Sequence, residues 1–166
     1  MCRVRSDGDQ TFTGMLNVTI MEMSLVSLHR RNMLMCAEWY VPFSHLLLQK
    51  HISTPQLTPP PPSCGVPIYS NTPQTPCKNC DKPLTLSLNP RILGTLLDET
   101  GSLSSSKLLW SPRAWTQLFG RTVEEIARMT GEEVRLFEQR VLWMRCHLVV
   151  GWSGEVGRLG VLGVLM

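Results

Sequence analysis

The order of elements between Cys77 and Arg140 constrains this chain more than any other feature. A Cys77-Lys-Asn-Cys80 knuckle comes first, then a strand-like Arg91-Ile-Leu-Gly-Thr-Leu-Leu-Asp98, then a strongly helical segment. Asp98-Glu-Thr-Gly101 and the serines after it read as a hairpin loop, with Lys107 to Trp110 as the returning strand. Ser111-Pro112 starts a helix, because serine caps free amides and proline tolerates the first helical position. That helix is predicted to run to Phe119 and stop at Gly120. Thr122-Val-Glu-Glu125 is a capping box opening a second helix toward Met129, and Thr130 with Glu133 opens a third despite Gly131. The third carries Val134, Phe137 and Val141 at helical spacing, which gives it one apolar face. Leu142 to Trp152 and Val156 to Met166 then read as two long strands around a Ser153-Gly154 turn. In the first, Arg145 and His147 share a face with Trp143, while Met144, Cys146 and Leu148 take the other.

Upstream the pattern is weaker. Thr11 to Ser27 alternates in part, which favours a strand, and Asn32 to Lys50 is an ambiguous apolar run broken by Pro42. Ser53 to Pro76 contains Pro59-Pro60-Pro61-Pro62 and further prolines, the composition of an extended loop or linker. The chain therefore divides into N-terminal strands over 1–52, a proline-rich loop over 53–76, and a core over 77–166 with helices near 112–141. The expected class is α+β, mainly β with a helical insert, and a small closed antiparallel barrel accommodates the order.

Composition narrows the function classes. The 166 residues suit one domain, and 43% hydrophobic with 17% charged residues is ordinary for a globular core. A formal net charge of +3 is a weak overall field, so binding to a polyanion would depend on a local patch. The first twenty residues lack the continuous apolar core of a secretory signal, which points to a reducing, intracellular setting for the six cysteines. There a Cys-x-x-Cys pair reads as a metal or redox element. The apolar C-terminal run is interrupted by Arg145, His147, Glu155 and Arg158, too broken to span a bilayer as a helix.

The whole order resembles the zinc-containing, C-terminal OB-fold domain of the replication protein A large subunit. The likeness rests on Cys77-Lys-Asn-Cys80-Asp81, Arg91-Ile-Leu-Gly, Lys107-Leu-Leu-Trp110, Ala114-Trp-Thr-Gln-Leu-Phe-Gly120, Thr122-Val-Glu-Glu-Ile126 and the closing strands with Arg145 in the first. Asn17-Val-Thr-Ile20 and Asn32-Met-Leu-Met-Cys36 are similar to the family's opening strands and first zinc cysteine. The resemblance implies a five-stranded Greek-key OB barrel with short helices between the late strands, a nuclear location, and partners of a replication or repair assembly. It also implies single-stranded nucleic-acid binding. Basic and aromatic residues that fold would place on a sheet face or its rim are Arg91, Lys107, Trp110, Arg145, His147 and Trp152, since bases stack on rings and phosphates seek cations. A structural Zn2+ would be held by Cys36, Cys64, Cys77 and Cys80. The metal site departs from the family pattern, because Cys77 and Cys80 form a close pair and Cys36 and Cys64 stand alone. Three cysteines with His45 or His51 would also satisfy zinc's tetrahedral demand.

Two other classes remain open. Cys36-Ala37-Glu38 with Pro76-Cys77-Lys-Asn-Cys80 resembles the zinc signature of cytidine deaminases, with Cys36, Cys77 and Cys80 as ligands and Glu38 as proton shuttle. Both halves of that signature open helices, which Pro42 and Pro83 oppose. Ala114 to Gly120 followed by Thr122 to Glu125 also resembles a PAS-like interaction domain. Plainer roles fall to Trp115 and Cys146 as core, and to Glu124, Glu125, Glu132 and Glu133 as helix N-terminal charges. The expectation from sequence is a non-enzymatic binder of single-stranded DNA or RNA.

Overall fold

Apolar residues at every second position of two long segments build the spine of the molecule. The computed structural model describes residues 11–37, 67–78, 81–153 and 158–166. Strand β1 (Thr11–Ile20) turns Leu16, Val18 and Ile20 toward the core, and β10 (Arg145–Ser153) turns Cys146, Leu148 and Val150. The two pair antiparallel from Thr11↔Ser153 to Thr19↔Arg145. On the other edge of β10 lies β11 (Arg158–Leu165), antiparallel, with a bulge opposite Val149/Val150. The extra residue shifts the alternation, so Val161 and Val164, three apart, both reach the core.

A hairpin of β7 (Thr95–Asp98) and β8 (Gly101–Ser104) joins the far edge of β1, and β9 (Leu108–Trp110) runs parallel to β11. The sheet order is β8-β7-β1-β10-β11-β9, and the sheet curls into a half-barrel. Its two end strands, β8 and β9, are consecutive in the chain, separated by the 3-10 turn Ser105–Lys107. Inserted between β1 and β7 are α1 (Leu25–Arg30), β2 (Met35–Ala37), β3 (Ile68–Ser70), β4 (Gln74–Pro76), β5 (Pro83–Thr85) and β6 (Ser87–Leu88). They form a small β3-β2-β6 sheet and a β4–β5 hairpin.

Between β9 and β10 come α2 (Pro112–Phe119), α3 (Val123–Arg128) and α4 (Gly131–Val141), each starting where the local chemistry dictates. Ser111 Oγ accepts the Ala114 amide at 3.1 Å, and Gly120 ends α2 in the left-handed region at φ 62°. Both capping boxes close, with Thr122 N–H donating to Glu125 and Thr130 N–H to Glu133, each at 2.7 Å. Helix α2 buries Trp115 between the rings of Trp110 and Phe119, at centroid distances of 4.4 and 5.3 Å. It also shields the β11 edge beyond β9: Ser111 Oγ donates to Leu162 O and Gln117 Oε1 accepts the Val164 amide. These bonds stand in for a neighbouring strand on groups that would otherwise remain unpaired. Among the described residues no helix is long and apolar enough to cross a membrane.

Several elements differ from the sequence expectation. The partner of β7 is Gly101–Ser104, and Lys107 to Trp110 pairs instead with β11. The strand expected from Arg91 begins at Thr95, because Asn89 accepts the Arg91 amide and Pro90 fixes a 3-10 turn over Pro90–Ile92. The strand expected to reach Ser27 ends at Ile20, and α1 follows it. The segment read as proline-rich loop contains two three-residue strands, β3 and β4, which form through pairing with β2 and β5. Strands this short carry no periodicity to read.

Candidate nucleic-acid interface

One cross-strand row carries aromatic rings from the core face of the sheet out to solvent. Register aligns Phe12 with Trp152, Trp152 with Leu159, and Leu159 with Leu108, across β1, β10, β11 and β9. Leu108 is fully buried, Leu159 and Trp152 are half-buried, and Phe12 is 37% exposed, so the row runs from core to surface. The Phe12 and Trp152 rings lie nearly parallel, 18° apart with centroids at 6.5 Å. A pair so arranged presents π-surface at the rim while its inner edge rests on the core.

Beside this row is a cleft of about 380 Å3. Trp152, Leu159, Leu108, Leu103 and Ser106 line it, and Lys107 and Arg158 bring cationic side chains to it. Among the described residues the lining has two cations and no carboxylate, a set that favours anions although the chain's net charge is small. Lys107 reaches this position because the Ser105–Lys107 turn is clamped from below. Ser105 Oγ donates to Pro90 O at 3.1 Å and accepts from Trp110 Nε1 at 3.0 Å.

The structure divides the six residues singled out from sequence. Lys107 and Trp152 meet at the cleft. Arg91 is exposed on the Pro90–Ile92 turn, which packs against the turn that bears Lys107. Trp110 is held in the aromatic stack with Trp115 and tied by its indole N–H. Arg145 and His147 are exposed on β10 but alternate with Cys146 and Leu148, which places them on the face opposite the core and opposite Trp152. Phe12, Arg158, Leu103, Ser106 and Leu159 complete the cleft region and were not singled out by sequence. The signal for Arg158 and Leu159 was the hairpin register with Trp152; for Phe12 it lies in a pairing between opposite ends of the chain.

The cysteines separate by environment. Cys146 is buried on the core face of β10, and burial pushes its thiol up to about 11, so it is a packing residue, as its apolar strand face implied. Cys36 lies buried in β2, and Cys77 lies buried directly after β4. The Cys77 turn has a knuckle-like backbone: Cys77 O accepts the Asp81 amide at 2.8 Å, Cys77 N–H donates to Lys82 O at 2.8 Å, and Asp81 is left-handed at φ 55°. Cys64, Cys80, Glu38, His45 and His51 lie outside the described residues. Among the described residues no three His, Cys, Asp or Glu side chains gather as a metal site, and that set lacks Cys64 and Cys80.

No protein-family model, no curated protein and no solved structure matches this chain.

Proposed function

We propose that this domain binds single-stranded nucleic acid, with bases stacking at the Phe12–Trp152 rim and phosphates met by Lys107 and Arg158. The observation that carries the reading is the cleft itself: a π-face and two cationic side chains, Lys107 and Arg158, in one concavity of about 380 Å3. Every base has a π-face while only an unpaired strand offers it, so the combination favours single strands over duplex.

The strand connections support an OB-fold reading. With β8 and β9 taken as one strand interrupted by Ser105–Lys107, the pairs β1/β7, β7/β8, β9/β11, β11/β10 and β10/β1 form a closed ring of five. The β4–β5 hairpin with Cys77 then lies between the first and second strands of the ring, and the three helices between its third and fourth. OB-folds bind oligonucleotides on the face of strands 2 and 3 and on the loop between strands 4 and 5. In this ring Lys107 belongs to the third strand's interruption, and Trp152 and Arg158 flank the last connection.

A structural Zn2+ belongs to the same proposal. Cys36, Cys64, Cys77 and Cys80 would hold it, and the thiol donors and the knuckle turn at Cys77 suit that ion. Bound, it would clip the inserted segment onto the barrel. The deaminase reading is disfavoured by the same geometry, because Cys36 sits in a strand and the chain after Asp81 enters β5 where that chemistry needs helix starts.

The test is fluorescence anisotropy of labelled oligo-dT titrated with the zinc-replete chain at two salt concentrations, with duplex as competitor. Saturable, salt-weakened binding that duplex does not displace is the expected result. Absence of binding to folded protein defeats the proposal.

A further inference from the structure

The face of the sheet that turns away from the core has its own chemistry. Its ladder rows bring together Leu97, Thr19 and Arg145, then Asn17, His147 and Leu165, then Met15 and Val149. Met15, at 59%, and Leu97 and Leu165 are exposed apolar side chains separated by two exposed basic ones, Arg145 and His147. None of these ladder residues is a carboxylate. Glu22, at the margin beside β7, is engaged by the amide and hydroxyl of Thr95 at 3.1 and 2.6 Å.

In the turn just before β10 is Trp143, 61% exposed and held at φ 69°. Its amide donates to Ile20 O at 2.8 Å, which fixes the backbone while leaving the ring in water. A bulky side chain in the left-handed region is a strained choice that glycine would make without strain. The fold thus retains a backbone conformation unfavourable to tryptophan and leaves most of the residue's surface in water. Tryptophan, arginine and methionine are the residues that protein interfaces concentrate. Aliphatic side chains between basic ones suit an amphipathic protein segment better than bases, which prefer rings to stack on.

We infer that this outward face docks a protein partner through an acidic amphipathic segment, whose carboxylates would meet Arg145 and His147 and whose apolar side chains would cover Met15, Leu97, Leu165 and Trp143. The site is separate from the cleft, since Arg145 and Trp152 lie on opposite faces of β10. It would leave a nucleic-acid strand in place while a partner is held.

A fluorescein-labelled synthetic helix with glutamates on one face and leucines on the other, titrated with the full chain, tests this. Saturable binding that weakens with salt, and that fails when the glutamates are replaced by glutamine, is expected. Trp143→Gly should weaken it about tenfold while leaving the melting temperature unchanged or higher, and Arg145→Glu about tenfold or more. Should Arg145→Glu fold poorly by circular dichroism, Met15→Glu on the neighbouring strand replaces it. Lys107→Ala and Trp152→Ala should leave peptide binding intact. The inference is overturned if the peptide does not saturate, if Trp143→Gly and Arg145→Glu leave its affinity unchanged, or if oligo-dT competes for the same face.

Discussion

Two aromatic stacks lie on this fold, one closed into the core around Trp115 and one at the margin of the sheet, and their difference separates a ring that holds the fold from a ring that stays open to solvent. Trp115 is 1% exposed between Trp110 and Phe119, with Phe137 edge-on to Phe119 at 5.3 Å and the Arg121 guanidinium 5.8 Å above the Phe137 ring. Phe12 and Trp152 form a looser pair at the sheet's margin, one ring more than a third exposed. Ring chemistry is the same in both. The first stack is closed on both faces by protein, so its energy goes into stability. The second has core on one side and solvent on the other, so its free surface can be completed by a base. An aromatic residue on a strand is therefore a site candidate only when register carries it past the end of the core.

The largest effect that would break this contrast concerns the inner stack. Trp115→Ala is expected to destabilise the domain by about 3–5 kcal/mol in urea titration, the range for removing a large buried ring. Trp115→Phe should cost much less. The Trp115 indole N–H has no hydrogen-bond partner among the described residues, so its removal leaves nothing unpaired. If Trp152→Ala destabilises as much as Trp115→Ala, the two stacks are both structural and the comparison fails.

Next in size is binding at the rim. Trp152→Ala should weaken oligo-dT binding by about 1–3 kcal/mol, roughly five- to more than hundredfold, while lowering stability by about 1 kcal/mol. Phe12→Ala, one row position farther out, should follow the same pattern with a smaller loss. Lys107→Ala and Arg158→Ala should each flatten the logarithmic salt dependence of binding by about 0.7 if each meets one phosphate. An unchanged slope would remove the cations from the interface and leave only stacking.

A smaller effect belongs to the boundary of the inner stack. Ser111→Ala removes the α2 cap and the hydroxyl bond to Leu162, and should cost about 1–2 kcal/mol in denaturation. The smallest is set by acid. Hydrogen bonds from the Thr100 side chain and backbone hold the Asp98 carboxyl below the ordinary aspartate value, and those from Thr130 do the same for Glu133. A lowered folded value means the stabilisation is present above the unfolded value and lost as pH falls through the folded one. Thermal melts from neutral to strongly acidic pH should thus show a shallow acid loss that Asp98→Asn reduces. Both groups are exposed, so a steep loss would point to another carboxylate.

Local chemistry alone determined the helical half of the fold. Ser111-Pro112, Gly120 and the Thr122/Glu125 and Thr130/Glu133 boxes place three helix starts and a stop because cap and capped amide lie within a few residues of one another. The alternation of Arg145, Cys146, His147 and Leu148 likewise assigned opposite faces before any partner strand was known. Tertiary structure alone decided which strands meet and which rings share a row. The parallel β9/β11 pair, the Phe12↔Trp152 register and the convergence of Lys107 with Arg158 join segments far apart in the chain. Such contacts carry no local periodicity and form only when burial of the whole apolar face selects one register. A slip of one residue would turn Val18, Leu148 and Val161 to solvent and Arg145 to the core.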